Sequence, residues 1–251
     1  MIMSRFIRLA CGVGLAAAVV LAQPKPKSQK EVDAIMTMQN AQDADSRITA
    51  AQALITKFAD TEFKPFALYV IASSYQQKND IESAMVWAEK TLEVDKANFM
   101  CMNMIASGLA QKTREFDLDK EEKLARAEKM AKGAMEAIKT AAKPNPQIPD
   151  DQWEIIKKDY TAESHQALGL VAMVRKKYPD AIASFKMAVE TTPQPDPATL
   201  VRLASAYNLA GQFDNAIATV DKAMAVPDLN PAIKQVAASE KDRATKGKAA
   251  K

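Results

Sequence analysis

The sequence predicts an all-α fold, a solenoid of stacked helical hairpins interrupted by a longer central hairpin. Three observations predict it. A pattern of small and aromatic residues occurs twice in tandem near the C-terminal end, offset by 35 residues between Ala181 and Ala216. Self-similarity at such a period marks stacked supersecondary units. The composition is 48% hydrophobic, yet it includes only 7 glycines and 6% aromatics, which favours helix. Finally, no segment shows the sustained alternation of β-branched residues that a half-buried strand needs.

The first copy places Leu168, Gly169, Tyr178, Ala181, Phe185, Ala188 and Pro193. The second places Leu203, Ala204, Tyr207, Phe213, Ala216, Val220 and Ala223. Leu168, Gly169 and Ala172 share one face of a helix, and Ala181, Phe185 and Ala188 share one face of the next. Small residues at Gly169, Ala181 and Ala188 let two antiparallel helices approach, while Tyr178 and Phe185 fill the ends of the contact. Pro193 stops the second helix. In these slots the sequence resembles the tetratricopeptide repeat (TPR), whose period is about 34 residues. The resemblance implies a right-handed superhelix of helix pairs.

Along the chain, Arg5 and Arg8 precede an apolar run from Leu9 to Leu21, with Val20 and Ala22 at the −3 and −1 positions of a cleavage site. Residues 1–22 are therefore expected to be a secretory signal peptide, placing the protein in the periplasm or outside the cell. The run is short for a transmembrane span, so membrane contact is expected only if this segment stays uncleaved. Residues 23–27 read as an extended linker. Ile48, Ala51, Ile55 and Phe58 make 28–60 a degenerate N-terminal hairpin.

The clearer repeats follow. Ile71, Ala72, Tyr75, Ile81, Ala84 and Ala88 fit a repeat over 65–98. Ile105, Ala106 and Leu109 begin another over 99–142, whose second helix is delayed by extra residues at 112–122. Three prolines make 143–152 a loop, with Asp150 or Asp151 as N-cap of a long helix packed on 121–142 through Trp153, Ile156 and Tyr160. This gives a repeat over 153–196 with an extended first helix, then one over 197–229. Asn230 and Pro231 start a capping helix over 230–243, and 244–251 reads as a disordered basic tail.

Little in the sequence points to catalysis. His165 is the single histidine, and no CxxC or glycine-rich phosphate loop occurs, so no catalytic, cofactor or metal residues are assigned. Asp117, Asp119 and Glu121 alternate as in a calcium loop but lack its glycine and distal glutamate. Asp119 as N-cap with Glu122 three residues on explains them better. Cys101 follows the apolar pattern of a buried residue. Glu163-Ser164 matches the catalytic dipeptide of lytic transglycosylases, which also use helical superhelices, so peptidoglycan cleavage is the enzymatic alternative. Loss of 1–22 removes Arg5 and Arg8, leaving a net charge of about +1, which argues against nucleic acid as a partner.

The resemblance implies a concave groove lined by the first helix of each repeat. Carried over residue by residue, it names Phe66, Tyr69, Ser73, Gln76 and Gln77. Further along it names Met100, Asn103, Ser107 and Gln111, then Glu163, Gln166, Leu170, Met173 and Val174, and last Ala198, Val201, Ser205, Asn208 and Leu209. The groove so read is mostly neutral, and the cationic carboxylate clamp of chaperone adaptors is missing from the matching positions. The expected function is a non-catalytic protein-binding scaffold of the cell envelope that takes a peptide or partner helix. Self-association through the end caps is the second binding mode.

Overall fold

The computed structural model describes residues 24–250. The expected signal peptide at 1–22 lies outside them. Among the described residues there are eleven α-helices and no strand, and no helix is long and apolar enough to cross a membrane. The chain divides after Lys96 into two compact units.

The first unit holds α1 (Gln29–Asn40), α2 (Ala44–Lys57), α3 (Lys64–Gln77) and α4 (Ile81–Val94), each packed on the next. Ile35, Met38, Ile48, Ala51, Leu54, Ala67, Val70 and Ile71 form its core. Ser28, Asp43 and Asp80 cap α1, α2 and α4 by accepting backbone N–H groups of the first turn, which satisfies donors a helix start leaves open. The expected linker is tied down. The Lys27 N–H donates to Glu31 at 2.6 Å, and the Lys27 ammonium pairs with Asp60 at 2.6 Å. Glu31 is 1% exposed and accepts the Thr61 hydroxyl at 2.5 Å, so this buried carboxylate closes the loop before α3.

The second unit holds α5 (Phe99–Lys112), α6 (Lys120–Thr140), α7 (Asp150–Val174), α8 (Tyr178–Thr191), α9 (Pro197–Leu209), α10 (Phe213–Met224) and α11 (Pro231–Ala249). Consecutive helices pack as antiparallel neighbours, with α5 also on α7 and α9 on α11. The central hairpin is the long one, with 21 residues in α6 and 25 in α7. Gly169 lies against Phe185: a Cβ built on Gly169 would sit 2.5 Å from the Phe185 ring. Phe185 is fully buried with Ala181, Leu203 and Ala216, a burial that contributes about 1.5–3 kcal/mol.

Three hairpins turn in the same way. Asn79, Lys176 and Gly211 take positive φ values of 59°, 59° and 70°. The next amide in each reaches back over the helix end, Asp80 to Tyr75 at 3.0 Å, Lys177 to Ala172 at 2.9 Å and Gln212 to Tyr207 at 2.9 Å. This is the Schellman arrangement, which satisfies the last carbonyls of a helix. The α5–α6 hairpin cannot use it, because its extra residues leave Thr113 extended at the end of α5.

Four expectations are corrected. Pro149 precedes α7 and supplies no side-chain cap, so Asp150 and Asp151 lie in the first turn, where Asp150 pairs with Lys143. Asp119 sits at the N-cap of α6 without accepting a backbone N–H. Lys123 takes its carboxylate instead, at 2.8 Å. Tyr160 meets Phe99 of α5 edge-to-face at 5.0 Å, because the long α7 passes α5 as well as α6. The expected tail from 244 is helical to Ala249, since Ala244 is fully buried and Gly247 lies against the Phe213 ring.

Candidate functional site

The candidate site is the strip that each first helix leaves uncovered. On α3, Ala67, Leu68, Val70, Ile71, Ala72 and Ser74 turn inward. What remains at helical spacing is Phe66, Tyr69, Ser73, Gln76 and Gln77. Phe66 is 39% exposed, Gln76 and Gln77 are exposed, and Tyr69 and Ser73 are half-buried. The Ser73 hydroxyl donates to the Val70 carbonyl at 3.0 Å, and the Gln77 side-chain oxygen accepts from Arg47 at 2.9 Å. Phe66 and Gln76 thus stand on a rigid helix with apolar and amide surface facing water.

In the second unit the strip is shared among α5, α7 and α9. Met100, Ser107 and Met173 are half-buried and Gln111 is exposed. Gln166 donates to the Thr199 hydroxyl at 2.8 Å, joining α7 to α9. Ser205 is half-buried, and Leu209 is 44% exposed.

Three residues expected in the groove are internal. Asn103 is 2% exposed; its amide donates to the Tyr160 carbonyl at 2.8 Å, and its oxygen accepts the Ser164 hydroxyl at 2.7 Å. Asn208 is buried against Glu240 of α11. Val201 joins the core cluster of Ala204, Val220 and Ala237. Polar side chains at strip positions read as partner contacts in a sequence, but here the neighbouring helix uses them first.

The electrostatics of the strip were not legible in the sequence. Desolvation pushes the Glu163 carboxyl up to about 7, helped by the charges of Asp159 and Asp196 and opposed by a hydrogen bond from Asn103. Glu163 is nonetheless an exposed residue, so it is a crowded group at the surface, not a sealed one. Asp159 lies one turn away on α7, where periodicity reveals it. Asp196 stands at the start of α9, and only packing brings it near. Arg202 was missed altogether. It is half-buried, and desolvation lowers its pKa while Asp196 opposes that. It makes no ion pair within 4.0 Å among the described residues.

His165 is half-buried on α7, and desolvation lowers its pKa. Ser164 is fully buried and bonded to Asn103 and Tyr160. Successive residues on a helix point about 100° apart, so its hydroxyl does not join Glu163. No group of three or more His, Cys, Asp or Glu able to hold a metal occurs among the described residues.

Residues 67–98, from α3 through the end of α4, match the tetratricopeptide repeat family. Among solved structures the chain is similar to TTC0263, a thermophilic TPR protein in Thermus thermophilus. The identity is 18% over 84% of this chain and 95% of that one, with a TM-score of 0.56. It is also similar to residues 1–338 of Acl4, an assembly chaperone of RpL4, at 13% identity over 88% of this chain and 97% of that one, with a TM-score of 0.43. No curated protein sequence matches the chain. The likeness to TTC0263 is one of fold.

Proposed function

We propose that this chain, which carries a tetratricopeptide repeat within an all-helical TPR-like fold, is a non-catalytic scaffold that binds a protein partner in the cell envelope. The observation that carries the reading is the strip on α3, where Phe66 and Gln76 stand exposed on a helix whose other faces are packed. Such a surface suits an extended peptide or a partner helix, with an aromatic anchor and side-chain amides for hydrogen bonds. Export rests on the basic start, the apolar run Leu9–Leu21 and the small residues before Gln23. Mass spectrometry of the mature N-terminus tests it: a start at Gln23 supports export by cleavage, and a retained Met1 counts against it.

Partner binding is tested by Phe66→Glu combined with Gln76→Glu, against Val86→Glu on the exposed side of α4 as control. The strip variant should lose capture of the partner with unchanged far-UV circular dichroism, while the control keeps it. Equal capture by both would sink the reading.

A second reading rests on Glu163, whose carboxyl is protonated up to about pH 7, as a general acid for peptidoglycan cleavage requires. Loss of turbidity of purified sacculi with the wild type but not with Glu163→Gln would support it. No loss with either removes it.

A further inference from the structure

On α9 a single stripe faces outward. From Thr199 to Asn208 every residue is buried except Arg202 and Ser205. With half-buried Ala198 and exposed Leu209 they fall at i, i+4, i+7 and i+11, one face of a helix. Arg202 and Ser205 are the polar side chains that this face presents.

The Arg202 guanidinium is half-buried and makes no hydrogen bond or ion pair with any of the described residues. Arg175 and Arg243 of the same unit each pair with glutamate instead. Asp196 is the acid that acts on Arg202. Its carboxylate is already engaged at the start of α9, where it accepts the Ala198 N–H and the Thr199 hydroxyl, each at 3.2 Å. The Thr199 oxygen in turn accepts the Gln166 amide at 2.8 Å. A guanidinium holds five N–H donors in a planar fork. Taking such a charge partly out of water without an acceptor from the protein is unfavourable, and an incoming acceptor recovers that cost.

Resting on the reading of this chain as a protein-binding scaffold, we propose that Arg202, with Ser205 beside it, takes one Asp or Glu side chain of an extended peptide in the partner. The next apolar side chain of that peptide lies on Leu209. Charge selects a single carboxylate. It matches the fork with two parallel N–H···O bonds and brings one charge. A phosphate group brings roughly two, and Asp196 is near enough to repel the second. Asp159 and Asp196 both act on Glu163, while Arg202 feels Asp196. A run of acids would meet these carboxylates, so the peptide carries neutral or apolar residues on either side of its one acid.

The test titrates the isotope-labelled full chain with three small peptides, followed by nuclear magnetic resonance. They are acetyl-Glu-Leu amide, acetyl-Gln-Leu amide, and acetyl-Gln-Leu with a free carboxyl end. The readout is the side-chain Nε–H resonance of Arg202, assigned by its loss in Arg202→Gln. The Glu peptide should shift it, with a dissociation constant on the order of millimolar. It should bind roughly fivefold more tightly than the Gln amide, as a charge-assisted pair exceeds a neutral one. By the shifts of the Ser205 and Leu209 amides, Arg202→Gln should abolish that preference. Arg202→Lys should keep part of it, because lysine retains the charge and lacks the fork. These signals report on α9 alone, so their silence would strike this site while capture through Phe66 and Gln76 still stood. Equal response to the Glu and Gln amides, no response to any peptide, or a preference retained in Arg202→Gln would overturn the proposal. So would a response confined to the free carboxyl end.

Discussion

Asn208 and Glu240 meet twice inside the second unit: the Asn208 amide nitrogen donates to the Glu240 backbone carbonyl at 2.9 Å and to its carboxylate at 2.8 Å. Both residues are buried, at 6% and 8% exposure. The pair joins α9 to the terminal helix and gives a buried carboxylate a partner in addition to Arg243, whose guanidinium lies 3.4 Å away. Asn208→Ala removes both bonds and leaves Glu240 without that donor. The expected cost is roughly 1–3 kcal/mol, read as a lower midpoint in urea. Asn208→Asp should be worse, because it places a second carboxylate there.

The last turns of α11 contribute to stability as well. Ala244 is fully buried and Gly247 receives the Phe213 ring. Deleting 244–251 should lower the denaturation midpoint and raise the exchange rate of α10 amides. A truncated chain with wild-type stability would show that these turns add nothing.

Gly169 and Phe185 occupy one small space. Gly169→Ala puts a methyl 2.5 Å from the ring, and overpacking of this kind costs about 1–3 kcal/mol. Phe185→Ala empties a fully buried site and should cost about 3–5 kcal/mol. Adding Phe185→Leu to Gly169→Ala should recover part of the loss, because the two changes share one contact and are not additive. Thermal melts of the three variants and the double mutant check this.

Glu163 makes stability depend on pH. A free glutamate ionises near 4.3, and in the folded chain this one ionises at about 7. Between those values the folded form holds the proton that the unfolded form has lost. Stability therefore falls as pH rises through this window and is level above it. Glu163→Gln should raise Tm at pH 8, and the difference should close by pH 4. A difference of equal size at both pH values would assign the effect to something other than the carboxyl.

The sequence shows most clearly those features that depend on neighbours along one helix. The tandem pattern at Ala181 and Ala216 and the breaks at Pro193 and Pro231 are local spacings that a helix converts directly into faces and ends. Caps were less legible. Asp80 and Asn98 accept backbone N–H groups, whereas Asp119 and Asp150 go to lysines instead. An N-cap residue type states what a side chain can do, and the nearest cation settles what it does. The candidate site shows the same division. Phe66 and Gln76 are exposed where helical spacing puts them, while Asn103, Val201 and Asn208 hold helix spacing and are buried by α7 and α11.

By itself the sequence determined the all-helical class, the repeat and the long central hairpin, because apolar periodicity, small residues and prolines act within a few turns of chain. Tertiary structure alone decided which polar residues are internal, how Glu163 ionises and that 244–249 is packed helix. Each depends on a group brought from far along the chain: Tyr160 to Asn103, Glu240 to Asn208, Asp196 to Glu163, Phe213 to Gly247. Desolvation and hydrogen-bond partnership are properties of three-dimensional surroundings, and no spacing in one helix contains them.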